Sequence, residues 1–429
     1  MFINCRKPHP ALMLVGLGLG FHSIATSANV EAFVGGRIFD GTRGAVVEKG
    51  TLVVTDGRVT AVGPSDKVKP PKGAQTFDVA GKTIVPGFVN SHAHVSDVYS
   101  TNAGAYTDEN VDRQLRLFAR YGITTIFSLG GEEAPAFKAR DSQSTPSLDR
   151  ARIFVAGKVI VGKTPEDARR MVDQVADTKP NYIKIRVDDN LGTSQKITPD
   201  VYRAVIDEAH KRGFRLFVHM YYLDDAKDLL RAGADFIAHS VRDKEVDDEF
   251  VSLMKQRNIC YTPTLTREIS TFIYQDTPSF FQDPFFLKEA DPKVLGQLKD
   301  PKYQENMRKS KQAQAYQAAL PTAERNLKKL SDAGVPIALG TDSGATANRF
   351  EGYFEHVEMQ MMAESGMSPQ KILLAATGDS ARCMQANDIG TLEPGKWADF
   401  LVMQKNPLDD IHNTKTLESV WIAGNQVKR

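Results

Sequence analysis

The chain is predicted to be an α/β protein, a (β/α)8 TIM barrel beside a small composite β-sandwich built from both ends of the sequence. Two observations predict it. Between residues 85 and 384, short apolar segments of strand character alternate with amphipathic helical segments, the order of a parallel sheet made of βα units. On either side, residues 29–84 and 385–429 read as short strands separated by turn residues, with no helix of any length.

Taken in order, residues 1–28 read as a secretory signal. Arg6 and Lys7 precede the apolar run ALMLVGLGLGF, which ends in small residues at ATSAN, with cleavage expected near Ala28. The run is short for a bilayer span, an uncleaved anchor being the alternative, and no later segment is apolar for long enough to insert. The mature protein is therefore expected to be soluble, in a bacterial periplasm or secreted. The first β segment carries AFVGGRIFDG, GTLVVTDGRVTAVG and TFDVAGKTIV; the second carries GTLEPGKWADFLVMQ and LESVWIAGNQVK. The simplest fold joins them as one discontinuous domain.

Eight strands are expected in the barrel, near VPGFVN, GITTIFSL, RIFVAG, NYIKIRV, FRLFVH, DFIAHS, NICYTPT and VPIALGTD. Helices such as PEDARRMVDQVAD and PDVYRAVIDEAHKRG separate them. The longest connection, about Thr264 to Ala333, holds TFIYQDTPSFFQDPFFL, too aromatic for a solvated linker. It leaves the carboxyl end of a strand, so it either covers the catalytic face as a lid or packs on the barrel as a satellite cluster.

Composition excludes little but is informative. With 54 Lys plus Arg against 53 Asp plus Glu, and only Arg6 and Lys7 lost with the leader, the mature chain is nearly neutral. No basic run interleaved with aromatics points to nucleic acid. A small-molecule substrate is the expected partner, and a homo-oligomer is possible. Cys5 leaves with the leader; Cys260 and Cys383 lie in apolar contexts and are expected to be buried thiols, an oxidised pair being the alternative.

Chemistry gathers at strand ends. His92 and His94 are two apart in GFVNSHAH and face one side, a pair suited to a borderline cation such as zinc. Lys184, inside the apolar YIKI, is costly to bury charged. As a neutral amine it can add carbon dioxide, and the resulting carbamate can bridge two cations. His219, His239 and Asp342 close the set from later strands. Each alone has a bland reading: a core histidine, a snorkelling lysine, a helix-capping aspartate. Six such accidents in barrel order are not credible. By parity Arg186 and Tyr221 face the same side as Lys184 and His219, nearer the mouth, and Arg242 follows His239; all three are candidates for substrate contact. For the arginines a structural ion pair is the competing reading. His210, His356 and His412 read as surface or supporting groups, and Ser343 as a turn residue, since no nucleophile elbow accompanies it.

GGRIFDG, DGRVTAVG, GKTIVPGFVNSHAH, AGADFIAHS, ALGTD and IGTLEPGKWADFLVM together resemble the amidohydrolase superfamily across the whole mature chain, and within it the prolidase-like and imidazolonepropionase-like branch. The resemblance implies a binuclear centre of two divalent metal ions, zinc foremost. His92, His94 and Asp342 would hold the first, His219 and His239 the second, and carboxylated Lys184 would bridge them. It implies hydrolysis by a hydroxide shared between the metals, with Asp342 as proton shuttle and Tyr221 contacting the substrate carbonyl. The chain departs from the family pattern at Asn90 and Ser128, where Asp is common. The expected function is an exported metal-dependent hydrolase of amide bonds in dipeptides or N-acyl amino acids. A cyclic-amide hydrolase of the imidazolonepropionase type, or an esterase or lactonase, is the alternative enzyme; a non-catalytic binding protein is the alternative outside enzymes.

Overall fold

A computed structural model describes Met1 and residues 29–429. The expected leader, and with it Cys5, lies outside the described residues. Among the described residues no helix is long and apolar enough to cross a membrane.

The two ends of the chain pair directly in one eight-stranded sheet. Val30–Ile38 runs antiparallel to Val47–Thr55, which in turn pairs with Arg58–Pro64. The junction is Thr83–Pro86, parallel to the end of Val30–Ile38 on one side and antiparallel to Phe400–Met403 on the other. Phe33, Phe77, Phe400 and Trp421 stack or meet edge to face at 4.7–5.7 Å, so aromatics from both ends form one core. The two ends therefore build one composite β-structure around a single hydrogen-bonded sheet.

Between them lie seven parallel strands in two sheets. Phe88–Ala93, Ile123–Ser128 and Arg152–Val155 form the first. Ile183–Val187, Leu216–Met220, Phe236–Ala238 and Cys260–Thr262 form the second. Their crossover helices begin as capping chemistry dictates. In Pro165–Asp177, Thr164 accepts from the backbone N–H of Asp167, proline occupies the first turn, and Ala168, Val172, Val175 and Ala176 face inward. Isolated parallel bridges join the sheets: Ile160 to Ile185, Tyr261 to Ile337 and Ala93 to Ser343. The eighth expected strand, VPIALGTD, thus lies between its two neighbours by single bridges and does not form a continuous strand. Gly340 is pressed so close that a Cβ would stand 2.2 Å from Thr262 Cγ2 and 2.9 Å from His92 Cβ. Two residues on, Asp342 turns left-handed at φ 61.

Cys260 and Cys383, expected as separate thiols, are joined by a disulfide with Cα atoms 5.8 Å apart. One opens the strand Cys260–Thr262 and the other closes the helix Gly378–Cys383, a juxtaposition across 123 residues that only the tertiary fold creates.

The long connection folds into short helices, of which Pro301–Lys309 is the last, and then the 22-residue helix Lys311–Asp332. Its aromatics, Tyr274, Phe281 and Phe286, are buried in a satellite cluster with Tyr121, Tyr353 and Phe354. Phe286 also lines a cavity of about 90 Å³ together with Arg349, the partner of Asp342, so the segment packs as a satellite cluster that comes within one residue of the site.

Candidate metal centre

The parallel strands bring the predicted residues to one face. Their register sets His219 beside Arg186 and Phe217 beside Lys184, while Ala238, just before His239, pairs with His219. The rings of His92 and His239 lie 4.4 Å apart between centroids, and those of His219 and His239 lie 4.3 Å apart. His92, His94 and Asp342 offer ligand atoms within 4.8 Å of one another. Asp342 Oδ1 is 3.2 Å from His92 Nε2 and 2.9 Å from His94 Nε2.

Each of three histidines has one ring nitrogen tied to the scaffold. His94 Nδ1 meets the Gly130 carbonyl at 3.2 Å, His239 Nδ1 the Thr264 hydroxyl at 2.7 Å, and His219 Nε2 the Asp188 carboxylate at 2.7 Å. Ligating histidines are held in this way, the second nitrogen fixing tautomer and ring angle. It leaves Nε2 of His94 and His239, and Nδ1 of His219, as the nitrogens available to a metal. Two buried atoms, His92 Nδ1 and Lys184 Nζ, have no hydrogen-bond partner among the described residues. A buried amine without a partner is expensive, and that position fits a lysine carrying a further anionic group. The donor set accordingly suits a divalent ion at His92, His94 and Asp342, with the rings of His219 and His239 and the Lys184 amine beside it.

The electrostatics favour ligand forms. Burial lowers the pKa of His92 and His239 and brings His219 to about 3, so the imidazoles are neutral. Burial also brings the Lys184 amine down to about 7. Burial would raise Asp342, but Arg349, His92 and His94 outweigh it and keep the carboxyl well below its usual range. Backbone strain gathers here too: His239, Thr264 and Asp342 all have positive φ, at 85, 48 and 61.

Three supporting carboxylates and an arginine were not singled out in the sequence. Asp188 orients His219, and its parity with Lys184 and Arg186 was a usable signal. Glu132 accepts from the Ser128 hydroxyl at 2.6 Å and from the N–H groups of Gly130, Ala156 and Gly157 at 2.7–3.0 Å, clamping the ends of two strands. Glu355 accepts from Asn90, Thr341 and Ser343. Arg349 pairs with Asp342 and donates to Ser270 Oγ at 3.0 Å. These contacts give a reason for both departures from the family pattern. Asn90 donates to Glu355 while its oxygen accepts from the His92 N–H at 2.9 Å, so an aspartate at position 90 would set two carboxylates together. Ser128 supplies the hydroxyl that Glu132 binds.

The candidates for substrate contact divide. Tyr221 is almost fully buried beside the centre, and burial pushes its hydroxyl up to about 12. Arg186 keeps 39% of its side chain exposed, pairs with Asn190, and lines a cavity of about 620 Å³ with Asp188, Lys163 and Lys196. Arg242 does not reach the mouth. Its side chain has no exposure, stacks over Tyr221 at 4.4 Å and pairs with Glu268 at 3.1 Å, the ion-pair reading. The other histidines take supporting places: His356 is buried between the Thr414 hydroxyl and the Tyr121 carbonyl, while His210 and His412 pair at the surface with Asp235 and Asp410.

Residues 83–427 match the profile of the Amidohydrolase family. The chain is 26% identical over 233 residues to an enamidase of Eubacterium barkeri, covering 49% of this chain and 55% of that protein. It is 26% identical over 289 residues to an ochratoxinase of Aspergillus niger, covering 64% of this chain and 52% of that one. The chain thus spans about half the length of these relatives. A crystal structure of a Xaa-Pro dipeptidase with bound methionine superposes with a TM-score of 0.74 at 22% identity, over 93% of this chain and all of that one, and so shares its fold.

Proposed function

The chain belongs to the amidohydrolase family, and from that premise we propose that it is an exported, metal-dependent hydrolase of carbon–nitrogen bonds in small substrates, dipeptides or N-acyl amino acids. The observation that carries the reading is the convergence of His92, His94, His219, His239 and Asp342, with three of the rings pinned from behind, on a buried lysine amine that has no partner among the described residues. The relative named enamidase, and the Xaa-Pro dipeptidase that shares the fold, support a C–N bond as the target.

When bound, two divalent cations, zinc foremost, supply a water acidified toward neutral pH and polarise the scissile carbonyl. The neutral Lys184 amine would, on adding carbon dioxide and losing a proton, supply a carbamate to hold them together with His92, His94, His219, His239 and Asp342. Asp342, kept ionised by Arg349 and the two histidines, receives the proton of the attacking water and passes it to the amide nitrogen as the C–N bond breaks. Tyr221 stays protonated at physiological pH and is the donor for the oxygen that gains charge as the carbonyl becomes tetrahedral. The products are a carboxylic acid and an amine. Asp188, Thr264 and the Gly130 carbonyl prevent the rings from turning away.

Export is supported by the signal-like leader and by the Cys260–Cys383 disulfide, a bond that persists in oxidising compartments. The test is hydrolysis of a library of dipeptides and N-acyl amino acids by purified, metal-loaded protein. Cleavage confined to cyclic amides, esters or lactones would replace the linear-amide reading, and absence of any turnover with both metals bound would favour a binding protein.

A further inference from the structure

Next to the metal centre lies a cluster in which two carboxylates form the ion pairs of three buried guanidinium groups. The helix Leu265–Ile269 begins at the left-handed Thr264 and carries Arg267 and Glu268. Glu268, with no exposure, serves two guanidinium groups at once: Arg242 Nε at 3.1 Å and Arg267 Nη1 at 3.1 Å. Arg242 is sealed off, stacked on Tyr221 and donating Nη1 to the Ser240 carbonyl at 2.6 Å. Arg267 lies over the ring of Tyr316 at 4.4 Å and donates Nη2 to its hydroxyl at 3.2 Å, leaving the phenolic proton free to donate onward. Arg349 is the third buried guanidinium, and its counter-ion is Asp342. Glu268 and Asp342 thus answer three arginines, and Asp342 is the carboxylate assigned to a metal.

The imbalance is visible atom by atom. Arg267 Nε and, on Arg242, both Nε and Nη2 are buried with no hydrogen-bond partner among the described residues, the Arg242 Nε contact to Glu268 being an ion pair without hydrogen-bond geometry. Unpaired buried guanidinium donors are costly, and an anion that joins them recovers that cost. Arg267, 8% exposed in its side chain against none for Arg242, is the member a ligand can reach. The Tyr316 ring beneath it lies 6.2 Å from that of Tyr221, and the Arg267 backbone N–H donates to the carbonyl of Thr264, whose hydroxyl holds His239, so the pair stands beside the centre.

We propose that Arg267, with the hydroxyl of Tyr316, forms the subsite for the free carboxylate of the substrate, and that Arg242 is only its structural backing; this rests on the amide-hydrolase reading above. Planar guanidinium groups recognise carboxylates by paired N–H donors, and an uncharged analogue would leave the excess charge buried and unanswered.

The two arginines permit a controlled test, because removing either leaves Glu268 with one partner, so both variants retain a balanced pair and should fold. Binding of a panel of N-acetyl amino acids and their carboxamides is measured by calorimetry on the metal-loaded native protein, Arg267→Met, Arg242→Met and Arg186→Met; KM and kcat are measured for whichever members are cleaved. The expected result is tighter binding of acid than carboxamide in the native protein. Arg267→Met should lose that preference, with affinity for the acid falling on the order of 100-fold, KM rising more than kcat falls, and the carboxamide unaffected. Arg186→Met should retain the preference, and Arg242→Met should retain it in weakened form, since the Arg267 donors remain while one buried positive charge is lost. A panel in which no native acid outbinds its carboxamide overturns the subsite, as does a preference that survives in Arg267→Met or vanishes only in Arg186→Met. Because binding is read separately from turnover, a panel that binds through Arg267 but is never cleaved would sink the amide-hydrolase reading and leave the carboxylate subsite standing.

Discussion

Asp188 Oδ2 accepts a hydrogen bond from His219 Nε2 at 2.7 Å, and the Asp188 side chain has no exposed surface. Burial alone would raise this carboxyl, but the histidine bond outweighs it and holds Asp188 far below the usual carboxylate range, while the imidazole stays neutral. The pair is therefore carboxylate and N–H imidazole. It selects the tautomer that presents Nδ1 to a metal.

Asp188→Asn should keep the fold but lose control of that tautomer. Metal affinity is expected to fall roughly 10–100-fold, read by titrating metal into chelator-treated protein. Unchanged affinity for the weaker of the two ions would remove Asp188 from any orienting role.

Lys184→Ala should bind fewer than two metal ions per chain by elemental analysis and lose turnover with the second. Full metal content with full turnover would show that the lysine does not bridge. Asp342→Ala is expected to be at least as severe, since a ligand and a proton shuttle go together; kcat should drop about 100- to 10,000-fold.

Replacing both members of the Cys260–Cys383 bridge by alanine removes a cross-link that closes a long loop. Stability should fall by roughly 4 kcal/mol in the loop-entropy description, seen as a lower denaturation midpoint. Oxidised and reduced native protein melting alike would show that the bond is absent in solution.

Phe286 is 1% exposed within the aromatic satellite cluster. Phe286→Ala should cost about 3–5 kcal/mol. Since this ring also borders the cavity that Arg349 lines, its loss should shift the relative kcat/KM of small and bulky substrates; a purely thermodynamic effect would assign the segment to packing alone.

Acid should unfold the protein partly through His356. Burial lowers its pKa from 6.5 to about 3. The unfolded chain therefore takes up a proton that the folded chain refuses, and stability is lost as pH falls between those two values. His356→Gln should flatten this part of the stability curve, measured by urea denaturation at pH 7, 5 and 4; an identical slope in both proteins would show that other groups govern it.

Local pattern was enough to place strands, helices and the six metal-centre candidates, because strand-end histidines and a lysine within an apolar run state their cost without any knowledge of neighbours. GFVNSHAH, NYIKIR and ALGTD announce themselves through period and burial, and the alternation of strand and helix orders them around one face. Three outcomes depended on contacts between distant segments. The Cys260–Cys383 bond needs residues 123 positions apart to meet. Arg242 and Arg186 stand in similar loops after similar strands, yet Glu268, arriving from the helix after the last of the named parallel strands, draws Arg242 inward while Arg186 stays at a cavity. The eighth segment is strand-like in sequence, but it meets its neighbours through single bridges and separate backbone hydrogen bonds, with Gly340 held against His92 and Thr262. Periodicity reports which face of an element seeks burial; it carries no information on which charge waits opposite, and that pairing decides whether an arginine becomes scaffold or binding group.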